Sequence, residues 1–569
     1  MRRLLVPLGT CLLVWSLGWI AVSSAQAALP ADAVPDSASA VVRLKAPQAT
    51  LDKVADFVNA VQPGFGPAVQ AALPGLGQAL GNPELVGVDV EQDIWAVVFA
   101  QPEGMRPMVV FVITAKDVDD VKDALPANFS VYTSGKFVAY SEDEDALGEV
   151  RDRIDGEGKP LWSKIDAASK KLFDAADLSV LVNIKQLAED FADELDQAEP
   201  ALNGFIDQLI AALPEAQRPQ LEPAFGMYRA LGGVVLRGVR DTNSLALGLT
   251  VSKTAIRYED RLQVTAGTPT AKFLAGQTPG DLLVVDKLPP NKSVYAGFKA
   301  DMSGMIEWSM NLTKGMMKDA SAEQLAEFEA AVKEMGQLKY EEVAMYMDIG
   351  DKAPVVRTGG VSVVTPVGRL REISHKLMKS MGEINSVNFT QKTTLEPNAM
   401  KIGGFDVDRI LIEQKFDEAA DPFGMQKKMM SIMFGDSGME QLVLYQNNRA
   451  LQTLGGGKAE MQSLLTSLDS TKPNDAAVSS VRKRFPGKAN ILVLLDIARL
   501  LKTGFKLAAE QGAIPLDADA LAELKVEPSF IGYTLTLEPT AARTQFEVPV
   551  LQVQNIAKIV TLLSSLQPQ

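Results

Sequence analysis

The stretch SVLVNIKQLAEDFADEL, residues 179–195, changes period at its middle. Val180, Val182 and Ile184 alternate as on one face of a strand. Leu187, Phe191 and Leu195 then recur every fourth residue, as along one face of a helix. The same phrase returns in VVRLKAPQATLDKVADFV (41–58), in SVYAGFKADMSGMIEWSM (293–310) and in NILVLLDIARLLKTGFKLA (490–508). In the third phrase Asp301 is placed to cap a helix bearing Met302, Met305 and Ile306. In the fourth, Asp496 is placed to cap a helix through Ile497, Leu500, Leu501 and Phe505, after a strand apolar on both faces. A chain that repeats this unit is constrained to place helices against sheets.

Longer correspondences accompany the repeat. VYTSGKFVAYSEDEDALGEV (131–150) and LYQNNRALQTLGGGKAEMQSLL (444–465) each set a tyrosine before a tight polar turn, with a cation four residues on. Ser134-Gly135 and Asn447-Asn448 suit the positive φ that two-residue hairpins require. Each half closes on long alternating segments, 243–267 and 530–551. The Pro289-Pro290 pair in KLPPNKS interrupts both periodicities and marks a seam. The expected class is α+β, in two related halves, 28–288 and 289–569, each an antiparallel sheet with amphipathic helices. Long helical segments are expected at 50–60, 185–215, 319–337 and 365–382.

With VPDSASAVVRL (34–44) and LPPNKSVYAGF (288–298) as its opening motifs, the chain resembles exported bacterial proteins of unknown function that duplicate a strand–helix α+β unit. That resemblance implies the two-body plan and supplies no catalytic residues.

The N-terminus fits an export signal over residues 1–27. Arg2 and Arg3 precede a mostly apolar run, and Ala25-Gln26-Ala27 forms a small-residue cleavage site. After it, no run approaches the roughly 18 apolar residues of a membrane span. The expected localisation is the periplasm or the exterior. The one cysteine, Cys11, lies inside the leader, so the mature chain forms no disulfide. A formal charge of −15 opposes phosphate backbones and argues against nucleic acid as a partner.

Little chemistry is encoded in recognisable form. His375 is the lone histidine, which excludes Cys/His zinc sites and leaves any triad dependent on it. On a helical reading of GRLREISHKLMKSM it falls beside the apolar stripe of Ile373, Leu377 and Met381, as a flank histidine does. FGDSGM (434–439) reads as a turn, and LGGGKAE (454–460) lacks phosphate-loop spacing. Asp406 and Asp408 share a strand face, as Asp89, Glu91 and Asp93 would, which is ordinary for solvated strands. No catalytic residue, metal site or cofactor is assigned.

Methionine is the outlier: 17 of the 21 lie after residue 300. Met302 and Met305 sit in one cluster, and Met425, Met429 and Met433 form an i, i+4, i+8 stripe. These five are the candidate ligand-binding residues, because thioethers adapt to varied apolar partners; the alternative is that they fill a core. The leading expectation is an exported, non-enzymatic scaffold or binding protein, engaging an apolar ligand or envelope protein through the second half. A carboxylate-dependent hydrolase of envelope polymers and a duplicated lipid carrier are the alternatives.

Overall fold

A computed structural model describes residues 33–565, apart from 71–72, 102–105, 216–217, 302–321, 381–382, 386–388, 417–423, 436–437, 513 and 515. The class is α+β. The described residues form two compact units. One comprises residues up to Leu213, Tyr228–Ala275 and Glu538–Gln554; the other comprises Pro214–Met227, Gly276–Leu537 and the residues from Asn555 onward. These units differ from the sequence halves 28–288 and 289–569: Glu538–Gln554 comes from the second half but lies in the first unit. The cause is a strand pairing that periodicity does not reveal, since an alternating segment fits any open sheet edge.

The first unit contains, in chain order, β1 (Ala40–Leu44), α1 (Pro47–Val61), β2 (Ile94–Phe99), β3 (Met108–Thr114), α2 (Val118–Ala124), β4 (Ser130–Ser134), β5 (Phe137–Ser141), α3 (Glu144–Ile154), α4 (Ala167–Ala175) and β6 (Leu178–Val182). It continues with α5 (Ile184–Asp190), α6 (Ala192–Ala212), part of α7 (Arg218–Asp241), β7 (Thr242–Val251) and β8 (Ala255–Val264). β1 is central, antiparallel to β2 on one side and to β6 on the other. Beyond β2 come β3, β5 and β4; beyond β6 come β7, β8 and the strand Ala541–Pro549. Both faces of β3 are covered, so its sequence is a continuous apolar run instead of an alternation. Val110 and Val112 join a cluster with Trp95, Trp162 and Phe173, while Ile113 joins Val121, Val138 and Tyr140 on the other face. Phe173 is fully buried between Trp95 and Trp162, with ring centroids at 5.6 and 5.0 Å.

The second unit contains β9 (Val294–Phe298), α8 (Ala322–Met335), β10 (Lys339–Ile349), β11 (Val356–Thr365), α9 (Val367–Ser380), β12 (Glu383–Asn385), β13 (Phe389–Ile402), β14 (Phe405–Phe416) and α10 (Met425–Phe434). Then come β15 (Met439–Gln446), β16 (Arg449–Leu454), α11 (Gly457–Leu468), β17 (Ile491–Leu495), α12 (Ile497–Glu510) and β18 (Ile531–Glu538), while β19 is the strand Ala541–Pro549 already placed. Here β9 is central, between β10 and β17. Beyond β10 come β11, β16, β15, β14, β13 and β12; beyond β17 comes β18.

With β12–β14 set aside, the two units pair their strands in one order. In each, the fifth strand pairs with the third, the sixth with the first and the seventh with the sixth. Single bonds repeat as well. The Asn183 amide donates to Ser39 and the Asp496 amide to Ser293, both at 2.8 Å. The Lys45 amide donates to Asp177 at 2.9 Å, and the Lys299 amide to Asn490 at 2.7 Å. The hairpins turn at Gly135 and Asn447, with φ of 61° and 52°, as their residue types anticipate. Asn183 and Asp496 each cap the helix that follows, accepting from Gln186 and Arg499 amides.

Two insertions depart from the common order. The first unit places the long helices α6 and α7 between β6 and β7, where the second has the shorter α12 and a six-residue helix. The second unit places β12–β14 and α10 between its third strand and the hairpin that follows.

Candidate interaction surface

The insertion of the second unit holds the partner of the lone histidine, which stands on α9. Arg371 and His375 stand one turn apart on α9, while Ile373, on its inner face, is fully buried. Both reach Asp408 on β14, which is 1% exposed. Arg371 donates Nε to Oδ2 at 2.9 Å and Nη2 to Oδ1 at 2.5 Å, and His375 Nε2 lies 2.7 Å from Oδ2. The Asn398 amide adds a donor to Oδ1 at 2.9 Å. Burial pushes the Asp408 carboxyl up, but these donors, Arg371 foremost, outweigh it and hold the group below its ordinary range. Among the described residues Asp408 is the hydrogen-bond partner of His375, and the neighbouring Ser374 bonds Tyr445 instead. The cluster is therefore a clamp between helix and strand. His375 is a flank histidine, as its sequence position indicates, with a buried partner that the sequence does not show.

The acids read as possible pairs separate. Asp406 is exposed and pairs with Lys401 at 3.2 Å, while Asp408 is buried. Residues 88–93 form a turn-rich connection, not a strand; there Asp93 holds Arg43 Nε at 2.6 Å and accepts from the Ala46 amide at 3.1 Å. At the seam, Lys292 Nζ reaches Glu460 Oε1 at 2.6 Å, and the Tyr346 hydroxyl donates to the same oxygen at 2.7 Å. Burial pushes Glu460 up, and Lys292 with Tyr346 brings it below its ordinary range. Among the described residues no cluster of three or more histidine, cysteine, aspartate or glutamate side chains is arranged to hold a metal ion.

Of the five candidate methionines, Met302 and Met305 lie outside the described residues. Met425 opens α10, and its side chain is likewise not described. Met429 is 56% exposed and Met433 half-buried. The stripe forms a helix as its spacing requires, and none of the helix's described side chains is buried.

A larger uncovered apolar surface lies in the first unit, where sequence reading placed no site. Phe205 and Leu209 on α6, with Tyr228, Leu231, Val234 and Val235 on α7, are each between 40% and 63% exposed. The two helices run as a hairpin. Arg240 Nη2 bonds Asp196 at 2.7 Å and the Leu195 carbonyl at 2.9 Å, Arg229 pairs with Asp207, and Leu202 sits against Gly232. A Cβ at Gly232 would fall 2.1 Å from a Leu202 methyl, so the glycine lets the helices approach. The signal for this surface was present in MYRALGGVVLRGV (227–239), which carries Tyr228, Leu231 and Val235 at helical spacing. The Gly232-Gly233 pair hides it, because two glycines argue against a helix interior. No described helix is long and apolar enough to cross a membrane.

No family model matches the chain, and no curated protein matches it. Among solved structures, one titled "Structure of crystal form III of TP0453" aligns over 48% of this chain and 97% of its own. Its identity is 9% and its TM-score 0.21, too distant for an argument about fold or function.

Proposed function

We propose that this is an exported, non-enzymatic binding protein. In this reading two copies of one strand–helix unit supply rigid sheets, and the insertions between their strands present apolar helix faces to another molecule. The observation that carries it is the α6–α7 face, where six large apolar side chains stand uncovered on a pair of helices that the common strand order does not require. The open methionine helix α10, in the other insertion, adds support for an apolar partner. The engagement of Asp408, Asp93 and Glu460 by cations and amides favours holding the fold over acid–base chemistry. Export rests on the leader pattern of residues 1–27.

The test uses the full chain expressed with its own leader. Mass spectrometry is expected to find a mature N-terminus at Ala28. Thermal unfolding of the purified protein is then compared with and without envelope lipid extract and envelope protein extract. A raised midpoint or a retained species in native mass spectra is the expected result. No shift and no retained species in either extract would remove the binding reading.

A further inference from the structure

The shared strand order sets the two units against each other position by position. With Ser39 matched to Ser293 by their bonds, the registers match Val41 to Tyr295, Val97 to Tyr346 and Val110 to Gly359. Ala38 matches Lys292, each the residue before its serine. Leu147 matches Glu460, each four residues past the N-cap of the helix after the fifth strand. In the first unit these positions are apolar and sealed: Ala38, Val41 and Val97 are fully buried and Leu147 is 6% exposed. In the second they form one polar network. Glu460, 8% exposed, takes the Lys292 ammonium and the Tyr346 hydroxyl on one oxygen. The ammonium stands 4.8 Å from the centre of the Tyr346 ring. Tyr295 lies directly across from Tyr346, and its hydroxyl accepts from the Lys292 amide at 3.1 Å and reaches the Pro289 carbonyl at 2.9 Å. Shape is exchanged along with polarity. A Cβ at Gly359 would collide with the Tyr346 hydroxyl, and the first unit carries the fully buried Val110 there.

Stability does not call for this network. The first unit closes the same strand order with apolar side chains, and well-packed apolar residues commonly serve as well as a buried ion pair. What the network supplies is discrimination. A chain with two like-ordered units is prone to place a strand of one into the other as it folds. β1 in the place of β9 would bring Ala38 and Val41 to Glu460 and leave its carboxylate buried without an ammonium. β9 in the place of β1 would bury Lys292 and the Tyr295 hydroxyl among Val97 and Leu147. We infer that the Lys292–Glu460–Tyr346 network is a pairing code, which admits β9 to the second unit and rejects β1.

Disulfide trapping in the chain from Ala28 onward, which carries no cysteine of its own, tests it. Val42 pairs with Ala96 in the first unit as Ala296 pairs with Met345 in the second. Ala296→Cys with Met345→Cys therefore reports native pairing, and Val42→Cys with Met345→Cys reports β1 in the place of β9. After refolding from urea and then oxidation, the native pair is expected to bridge and the exchanged pair is not. Adding Lys292→Met, Tyr346→Phe and Glu460→Leu is expected to raise the exchanged bridge by about tenfold or more, within one chain or between two. The unfolding midpoint of that triple variant is expected to hold or rise. Glu460→Leu alone, which strands the Lys292 ammonium, is expected to lower the midpoint. An exchanged bridge with the network intact, or no more of it in the triple variant, overturns the inference, because the network then discriminates nothing. A lower midpoint in the triple variant overturns it too, by giving the network to stability instead. A Glu460→Leu variant as stable as the unaltered chain does the same, since a stranded ammonium would then carry no penalty.

Discussion

Asp408 shows how a residue that looks like surface patterning can hold two elements together. Its carboxylate is 1% exposed and accepts from Arg371, His375 and the Asn398 amide. Replacing it by asparagine leaves the Arg371 guanidinium facing a neutral amide. The expected cost is about 3 kcal/mol, measured by urea unfolding. Removing Arg371 as well is expected to cost less than the sum of the single changes, since the two share one interaction. The pH dependence has a definite sign. A carboxyl held below its ordinary value in the fold contributes stability that is complete above the unfolded value of about 3.9 and is lost as pH falls through the folded value. The acid limb of a stability–pH curve is therefore expected to flatten in Asp408→Asn. An unchanged limb would show that the clamp does not lower this carboxyl. None of this is legible in GGFDVDRILIEQ, where Asp406 and Asp408 look alike. What separates them is α9 lying over β14, a contact between distant parts of the chain.

At the scale of elements, the local rules carry far. The helix expected at 365–382 forms as Val367–Ser380, and that expected at 319–337 as Ala322–Met335. The segment 185–215 divides into α5 and α6 at Phe191. α7 is the element that sequence reading misses, because its glycine pair lowers helix propensity and its benefit, a close approach to Leu202, is tertiary. What periodicity cannot tell is which apolar stripe stays uncovered. Ile373 and Met429 both lie on apolar helical stripes, yet one is fully buried and the other 56% exposed. Ile373→Ala is accordingly expected to destabilise by about 2–5 kcal/mol, and Met429→Gln by less than about 0.5 kcal/mol. Comparable losses at the two sites would mean that α10 is covered in solution, and its part in binding would fall.

At the scale of the whole molecule, the two units correspond most clearly in strand order, the level that sequence shows least directly. The phrase of strand then helix was visible because its period changes within a few residues. The assignment of Ala541–Pro549 to the first unit was not, because edge pairing joins residues some 280 positions apart in the chain. If the two units are copies, positions that correspond should do the same work. Asn183 and Asp496 offer a matched pair. Each is 2% exposed, follows the sixth strand of its unit, donates its amide to a serine carbonyl and caps the next helix. Changing either to alanine removes the cap and leaves a buried amide end without its side-chain acceptor, at a cost of about 1–2 kcal/mol in each case. Hydrogen exchange read at Gln186 and Arg499, whose amides the caps bind, is expected to quicken locally and to a similar extent in the corresponding variant. Similar losses at both positions are what two copies of one unit require. A large loss at one and none at the other would mean that the shared strand order does not extend to shared energetics.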